Sequence, residues 1–519
     1  MKLIEHFDRG VALGRDRPCL IDDRGTRSFG EVEVMSHRIG GALVALGLEP
    51  GDSFAVFSHN QSVAFEVMLG GLRAGGCWVP ANAASAVAEL KHTLSLTGAR
   101  VLFYAMQVLD QVLAVLPDCP TIAHLICIDA PSEDLPDGHL HLLTFIANMP
   151  DRMVAPEFSD DTLVALGSTG GTTGLPKAVM TTHRIWNVRI AATVARIGID
   201  TPPVMICVAP ISHAAGAFTL ETLGIGTTTV ILKGFDAIGV ARAIQDHRAT
   251  HIFLPPTALY RMLSEPGVRA FDFSSLRYFT TASSAISEDK LREAVEVFGP
   301  CLEPAYGGTE MGMSVCSYQP DALARDIADG RLERLQSCGK VQPGTDMAII
   351  GSDGAPVAAG QSGEIAVRGP QLLQGYLHNP EETEKALRDG WYHTGDVGFL
   401  DPEGYLYIRD RVKEMIISGG FNVYPAEVER VIHSHPAVQD CAVIGVPDAD
   451  WGERVVAVVE LRDGSDVTAD DLIATAKAQL TNYKVPKEIL FRDLPRSPVG
   501  KVLRRALRDE YWQGRERAI

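Results

Sequence analysis

From residue 53 onward, short unbroken apolar runs alternate with longer stretches whose apolar residues recur three or four apart. Residues 53–58 read as a buried strand. Residues 61–73, apolar at 63, 64, 67, 68, 69 and 72, read as a helix closed by Gly75, Gly76 and Pro80. Residues 101–104 and 125–128 are further short apolar strands. Strands alternating with helices predict stacked βα units, in which parallel sheets are covered by helices.

The pattern changes near residue 340. Residues 346–368 read as hairpin-forming chain with a turn at Ser352-Asp353-Gly354, and a second hairpin over 397–408 turns at residues 401–404. After residue 411 come a helix at 426–433, strands at 441–446 and 455–461, and a helix at 469–480. The expected fold class is α/β. A large N-terminal domain, 1–411, holds stacked βα sheets plus a β-rich subdomain at about 340–411. A small α+β domain spans 412–519.

Charge narrows the function. The 519 residues carry 47 Lys+Arg and 65 Asp+Glu, a formal net charge of −18. That balance speaks against nucleic acid, whose binding needs basic surface, and against a polybasic membrane anchor. Residues 412–519 hold 15 basic and 17 acidic residues, so −16 of the −18 falls in 1–411. Within the small domain, basic residues gather at 484, 487, 492, 496, 501, 504, 505 and 508, a candidate anion-binding surface. The nine cysteines form no CxxC pair, which suits reduced thiols in a cytoplasmic protein. The first residues hold Glu5 and Asp8 and no long apolar run, so no signal peptide is expected. The longest apolar region, 214–232, is interrupted by Glu221 and is too polar for a membrane span. His139 with His141, and His433 with His435, lack the clustered Cys or carboxylates of a metal site and read as structural.

The strongest local signal is the string Ser168-Thr169-Gly170-Gly171-Thr172-Thr173-Gly174-Leu175-Pro176-Lys177, after an apolar strand at 162–166. Its glycines let backbone N–H groups approach an anion, its hydroxyls add donors, and Lys177 adds a positive charge. The spacing is not that of a Walker A loop, and Ala-Val-Met-Thr after Lys177 reads as a strand rather than a helix.

At this string the chain resembles the adenylate-forming (ANL) superfamily, in its acyl-CoA synthetase branch, and further motifs follow in the family's order. Tyr306-Gly307-Gly308-Thr309-Glu310 resembles the motif whose aromatic stacks on adenine, whose Thr contacts the AMP phosphate and whose Glu binds Mg²⁺. Ser283 and Ser284 lie where many members have Gly-Gly-Ala-Pro near the adenine. Asp396, in Thr394-Gly395-Asp396, resembles the ribose-binding Asp; Arg411 resembles the residue that touches the ribose, and Lys413 occupies the hinge position. Gly419 and Gly420 match the loop lining the pantetheine tunnel. Lys501, in Pro498-Val499-Gly500-Lys501, resembles the catalytic Lys, a fixed cation at the developing negative charge. Gly170 stands where the family usually has Ser, and Ala178 where it usually has Gly.

Pro210-Ile211-Ser212-His213 resembles the segment beside the carboxylate-binding pocket. Amino-acid-activating members commonly place an Asp near position 213 to pair with an ammonium; His213 cannot do so. The small residues Ala214, Ala215, Gly216 and Gly308, with Met311, imply room for a bulky or extended apolar acid. The resemblance thus implies an ATP-dependent acyl-CoA synthetase with ATP, Mg²⁺ and CoA. It would form an acyl-AMP from a hydrophobic acid, foremost a fatty acid, then pass the acyl group to CoA as the small domain turns about Lys413. The alternatives are a ligase for aryl or other carboxylates, or an adenylating enzyme with a non-CoA acceptor. Expected partners are small molecules, without nucleic acid or integral membrane association; a homodimer is an assembly open to it.

Overall fold

The computed structural model describes residues 1–130, 132–169, 176–198, 201–284, 286–411, 414–418, 421–448, 451–462, 464–496 and 502–512. They divide into two compact units. One comprises 1–170, 175–346 and 368–390; the other comprises 171–174, 347–367 and 391–519.

The first unit carries two large sheets. In one, strands Ser53–Ser58, Cys77–Asn82, Val101–Tyr104, His124–Cys127 and His139–His141 run parallel, with Ser53–Ser58 central and all six of its residues buried. A strand covered on both faces needs a continuous apolar run, which is why this one was legible. The covering helices start where side chains can satisfy open N–H groups. Ser28 accepts from Glu31 N–H while Glu31 reaches back to Ser28, opening helix Phe29–Ala45. Thr182 opens helix His183–Ile197 by accepting from Ile185 N–H on Oγ1, without a reciprocal bond. The helix read at 61–73 is Ser62–Arg73. The second sheet centres on parallel strands Thr228–Ile231, Val204–Cys207, His251–Phe253, Tyr278–Thr281 and Leu302–Gly308. Its far edge turns antiparallel at Gly312–Ser317.

The second unit opens on a small antiparallel sheet that includes Gly363–Arg368, Trp391–Leu400 and Leu406–Arg411. Its hairpin is longer than the 397–408 read from the sequence, because pairing continues to Asp396 opposite Arg411. A further sheet pairs Val438–Asp448 with Gly452–Leu461 and is covered by helices Pro425–His433 and Ala469–Gln479. Their inner faces form a separate apolar core around Val428, Ile432, Val443, Ala457 and Leu472. The fold is therefore α/β, with a large N-terminal part of stacked sheets and a smaller α+β C-terminal part. Among the described residues no helix is long and apolar enough to cross a membrane.

Candidate active site

The Gly/Thr string grows from a β-hairpin. Strand Leu163–Ser168 pairs antiparallel with Ala178–Thr182, Ser168 standing opposite Ala178. The two ends of the intervening loop are tied together. Thr169 N–H donates to the Lys177 carbonyl at 3.1 Å, and Lys177 N–H donates to Thr169 Oγ1 at 3.2 Å. The strand after Lys177 is the one the sequence predicts in place of a Walker A helix. Gly170, Gly171, Thr172, Thr173 and Gly174 lie outside the described residues. Lys177 Nζ is paired with the Glu382 carboxylate and lies 4.6 Å from the centre of the Tyr376 ring. The hydrogen bond from Lys177 holds the Glu382 carboxyl below its ordinary range.

The Thr309–Glu310 segment meets this hairpin. Thr309 Oγ1 donates to the Ser168 carbonyl at 3.3 Å. A Cβ at Gly167 would come within 2.5 Å of the Thr309 methyl, so the approach depends on glycine there. Glu310 Oε1 accepts from Tyr376 O–H at 3.3 Å, and its carbonyl accepts from Leu373 N–H at 2.7 Å. Tyr376 thus links the cation Lys177 to the carboxylate Glu310. Tyr306 and Met311 are buried; Gly307 and Gly308 are half-buried. Among the described residues there is no cluster of three metal-ligating side chains. Mg²⁺ is commonly held by one or two carboxylates plus substrate phosphates, so a single partly accessible Glu310 fits that role.

Arg189 was not found from the sequence. It is 8% exposed, and its guanidinium donates to the Thr309 carbonyl through Nη2 and to the Gln371 carbonyl through Nε, each at 3.1 Å. Burial lowers its pKa to about 10, which leaves it protonated at neutral pH. The signal was present: Arg189 lies among Trp186, Ile190, Thr193 and Ile197 on the buried face of its helix. A charge on an apolar stripe needs a structural or chemical explanation.

The loop before His213 is set by Asn60, also missed. This 6% exposed side chain donates through Nδ2 to the carbonyls of Val208, Ala209 and Leu232 at 3.1, 3.0 and 3.2 Å. Its Oδ1 accepts from Ile211 N–H at 3.0 Å. His213 then caps helix Ala214–Thr222 and sits beside the Ser212 hydroxyl, 2.9 Å from Nδ1. The residue is exposed, yet protein around the ring desolvates it and holds its pKa below the ordinary imidazole value. His213 and Ser168 line one small hollow. The pocket residues divide. Ala214 is half-buried, but Ala215 faces the core. A Cβ at Gly216 would lie 1.8 Å from the Ile211 carbonyl. The missing side chain at 216 therefore makes room for backbone rather than for an acid. Ser283 adopts φ +85°, left-handed backbone that glycine tolerates best, and both Ser283 and Ser284 are exposed.

In the second unit, Arg411 Nε donates to Asp396 Oδ1 at 3.0 Å across the hairpin, bringing together two residues 15 apart in sequence. The turn before Asp396 is fixed by Glu364, which accepts from Gly395 N–H at 3.2 Å and contacts His393 Nδ1 at 2.8 Å. Lys413, Gly419, Gly420 and Lys501 lie outside the described residues. Much of the basic stretch is internally neutralised. Lys484 pairs with Glu427, Arg492 with Glu510, Arg496 with Asp440 and Glu460, Arg504 with Glu414 and Glu429, and Arg505 with Asp509. Among the described residues, these pairs offset much of the positive charge of that run.

Known proteins share this framework. The AMP-binding enzyme family model matches residues 7–377, and the AMP-binding enzyme C-terminal domain model matches residues 427–501. A feruloyl-CoA synthase of Amycolatopsis sp is 34% identical over 487 residues, 93% of this chain and 94% of that protein. A long-chain-fatty-acid–CoA ligase of Escherichia coli O157:H7 is 32% identical over 543 residues, 98% and 94%. Among solved structures, the amide bond synthetase McbA of Marinactinospora thermotolerans superposes with a TM-score of 0.87 at 28% identity, covering 98% of this chain and 100% of that one. With both family models matched in order and its relatives covered almost end to end, the chain belongs to the AMP-binding enzyme family, the ATP-dependent ligases of the adenylate-forming superfamily.

Proposed function

We propose that the protein is an acid–CoA ligase that forms an acyl-AMP from ATP and a carboxylic acid with an apolar body, then transfers the acyl group to CoA. The observation that carries this reading is the junction of Thr309 with the base of the Gly/Thr hairpin. There Thr309 Oγ1 donates to the Ser168 carbonyl, and the Tyr376 ring touches Lys177 while its hydroxyl donates to Glu310. In the first step, one carboxylate oxygen of the acid attacks the α-phosphorus, and the bond to the bridging oxygen of pyrophosphate breaks. Lys177 and the loop hold the outer phosphates once Lys177 leaves Glu382. Thr309 positions the α-phosphate, and Tyr306 with Ser283 and Ser284 flank the base. Asp396 has two acceptor oxygens, which suit a diol, and with Arg411 it holds the ribose. Neutral His213 borders the acid's carboxylate without adding a positive charge to compete for it. Mg²⁺, held at Glu310, would offset phosphate charge. Lys501 stabilises the transition state. In the second step the CoA thiolate attacks the acyl carbonyl and AMP leaves; Gly419 and Gly420 give the thiol access, and Lys413 is the hinge between 1–411 and 412–519.

The sequence favours a fatty acid, with aryl acids as the second reading; the names of relatives include both ferulate and long-chain fatty acids. Reduced thiols suit the cytoplasm: Cys19, Cys77, Cys207 and Cys301 are buried and outside any disulfide. The test uses a panel of carboxylic acids, scored by acid-dependent pyrophosphate release and CoA-dependent AMP release. Lys501→Ala should lose nearly all adenylation while retaining ATP binding by calorimetry; pyrophosphate release at the wild-type rate refutes the assignment. Gly420→Trp should spare adenylation and block thioester formation. Equal loss of both half-reactions would remove the tunnel role.

A further inference from the structure

Thr309 and Glu310 sit on the tip of a β-hairpin. Strands Leu302–Gly308 and Gly312–Ser317 pair antiparallel with Gly308 opposite Gly312, so residues 309–311 make the turn. Met311 N–H donates to the Gly308 carbonyl at 3.1 Å and closes it. The two side chains are held by long hydrogen bonds. Thr309 Oγ1 stands 3.3 Å from the Ser168 carbonyl, and the Tyr376 hydroxyl 3.3 Å from Glu310 Oε1. Both lie beyond the ordinary O–H···O range and give weak orientation.

The direction of these side chains therefore rests on the backbone of the tip, where two planar peptide units are fixed from outside. The plane between Thr309 and Glu310 is pinned through the Thr309 carbonyl, which accepts from Arg189 Nη2 at 3.1 Å. The plane after Glu310 is pinned through the Glu310 carbonyl, which accepts from Leu373 N–H at 2.7 Å. Arg189 also steadies this second anchor, because its Nε donates to the Gln371 carbonyl, two residues before Leu373, at 3.1 Å. One guanidinium thus ties the tip to the segment that supports it.

That segment belongs to the Lys177 hairpin. Gly375 and Tyr376 pair with Met180 and Val179, on the strand that follows Lys177. The same strand runs through Thr182 into the helix that carries Arg189. Lys177 and Tyr376 on one side, and Thr309 and Glu310 on the other, are joined through this residue, across 120 positions of sequence from Arg189 to Thr309.

A cation is a destabilising choice for such a place unless its donors are needed. Arg189 is 8% exposed, and among the described residues both of its hydrogen bonds go to neutral backbone carbonyls. An unbranched apolar side chain such as Met would pack there without desolvating a charge. What Met and Lys lack is a rigid planar fork, with two donors in fixed relation to two carbonyls.

We propose that Arg189 is a positioning residue for adenylation, holding Thr309 and Glu310 in register with the Lys177 hairpin so that the α-phosphate and the outer phosphates of ATP are presented together. The inference rests on the ligase reading and adds a residue that acts through Thr309 rather than on the substrate.

The test measures acid-dependent pyrophosphate release in Arg189→Lys and Arg189→Met. Lys177 still meets the outer phosphates, so kcat should fall about ten- to a hundredfold while KM for ATP changes less than about threefold. Arg189→Lys keeps the charge without the fork and should recover only part of the loss. Two readouts separate positioning from stability. Thr309 meets one non-bridging oxygen of the α-phosphate, so the wild type should distinguish the Sp and Rp isomers of ATPαS, in which sulfur replaces one or the other. Arg189→Lys should bring their rate ratio toward one. In a Thr309→Val background, Arg189→Lys should have an effect at least about threefold smaller than in the wild type.

Wild-type kcat in Arg189→Lys overturns the proposal. So does an equal loss on both isomers with their ratio unchanged, or full additivity with Thr309→Val. A wild type indifferent to the isomers removes the contact through which Arg189 acts, and the proposal with it. Should Arg189→Met fail to fold, as judged by urea denaturation, Arg189→Lys and the Thr309→Val cycle decide. Pyrophosphate release by the wild type keeps the ligase reading whatever Arg189 does; no release with any acid removes both.

Discussion

Asn60 offers the sharpest test of how the fold positions the segment proposed to border the acid. Its amide makes four hydrogen bonds to the backbone of 208–211 and 232, all from one 6% exposed side chain. Asn60→Ala leaves Ile211 N–H and three carbonyls without that partner. A buried group stranded in this way costs about 1–3 kcal/mol, and partial rehydration brings the expected total to roughly 3–5 kcal/mol. Asn60→Asp keeps the volume and the oxygen that serves Ile211. It sets a second oxygen, in place of the NH₂, against three carbonyl oxygens. Repulsion is added to loss, so the isosteric variant should be the less stable one. Urea denaturation followed by intrinsic fluorescence gives the order: wild type, then Ala, then Asp. Because His213 lies two residues beyond Ile211, kcat/KM for the acid should fall by about ten- to a hundredfold in Asn60→Ala, with KM for ATP changing less. The reasoning is refuted if Asn60→Asp matches or exceeds Asn60→Ala in stability, or if both lie within about 1 kcal/mol of wild type.

Two further outcomes follow from charged groups near the site. On the proposed reading Glu382 competes with phosphate for Lys177, in a pair about one-third exposed and screened. Glu382→Gln should therefore lower KM for ATP only about two- to fivefold; a raised KM would show that Glu382 orients Lys177 rather than occupying it. Burial pushes the Glu221 carboxyl up to about 7 from an ordinary 4.5. Between those values the folded chain binds more protons than the unfolded one, so stability is full below about pH 4.5 and falls as pH rises toward 7. The spacing of the two pKa values bounds the loss at roughly 3 kcal/mol. Glu221→Gln should remove that slope, its urea midpoint gaining on the wild type between pH 5 and pH 8. A gap that does not change with pH would show that Glu221 is already ionised in the native state.

What could be read in advance follows the range of the forces involved. Ser53–Ser58 and helix Ser62–Arg73 were legible because burial on known faces imposes a local period. The hairpin under the Gly/Thr string was legible because Pro176 and the apolar alternation after it exclude a helix. Chemistry confined to short strings, such as Tyr306 to Glu310, could be read by likeness to a family. The residues that only tertiary structure revealed act across long sequence gaps. Asn60 is 151 residues from Ile211, Arg189 is 120 from Thr309, and Lys177 is 205 from Glu382.

Small residues show the same division. The sequence determined that Gly216 and Ala215 are small, and smallness beside a pocket motif suggested room for an acid. The fold assigned the space otherwise: the Ile211 carbonyl fills it at 216, and the core takes Ala215. Charge behaved likewise. The sequence determined that cations gather at 484–508, but only folding brought Glu414, Glu427, Glu429, Asp440 and Glu460 against them. Composition and periodicity are local properties of the chain. Which buried donor meets which acceptor, and which volume is filled, depends on contacts between distant segments, so these were decided only when the sheets and helices packed.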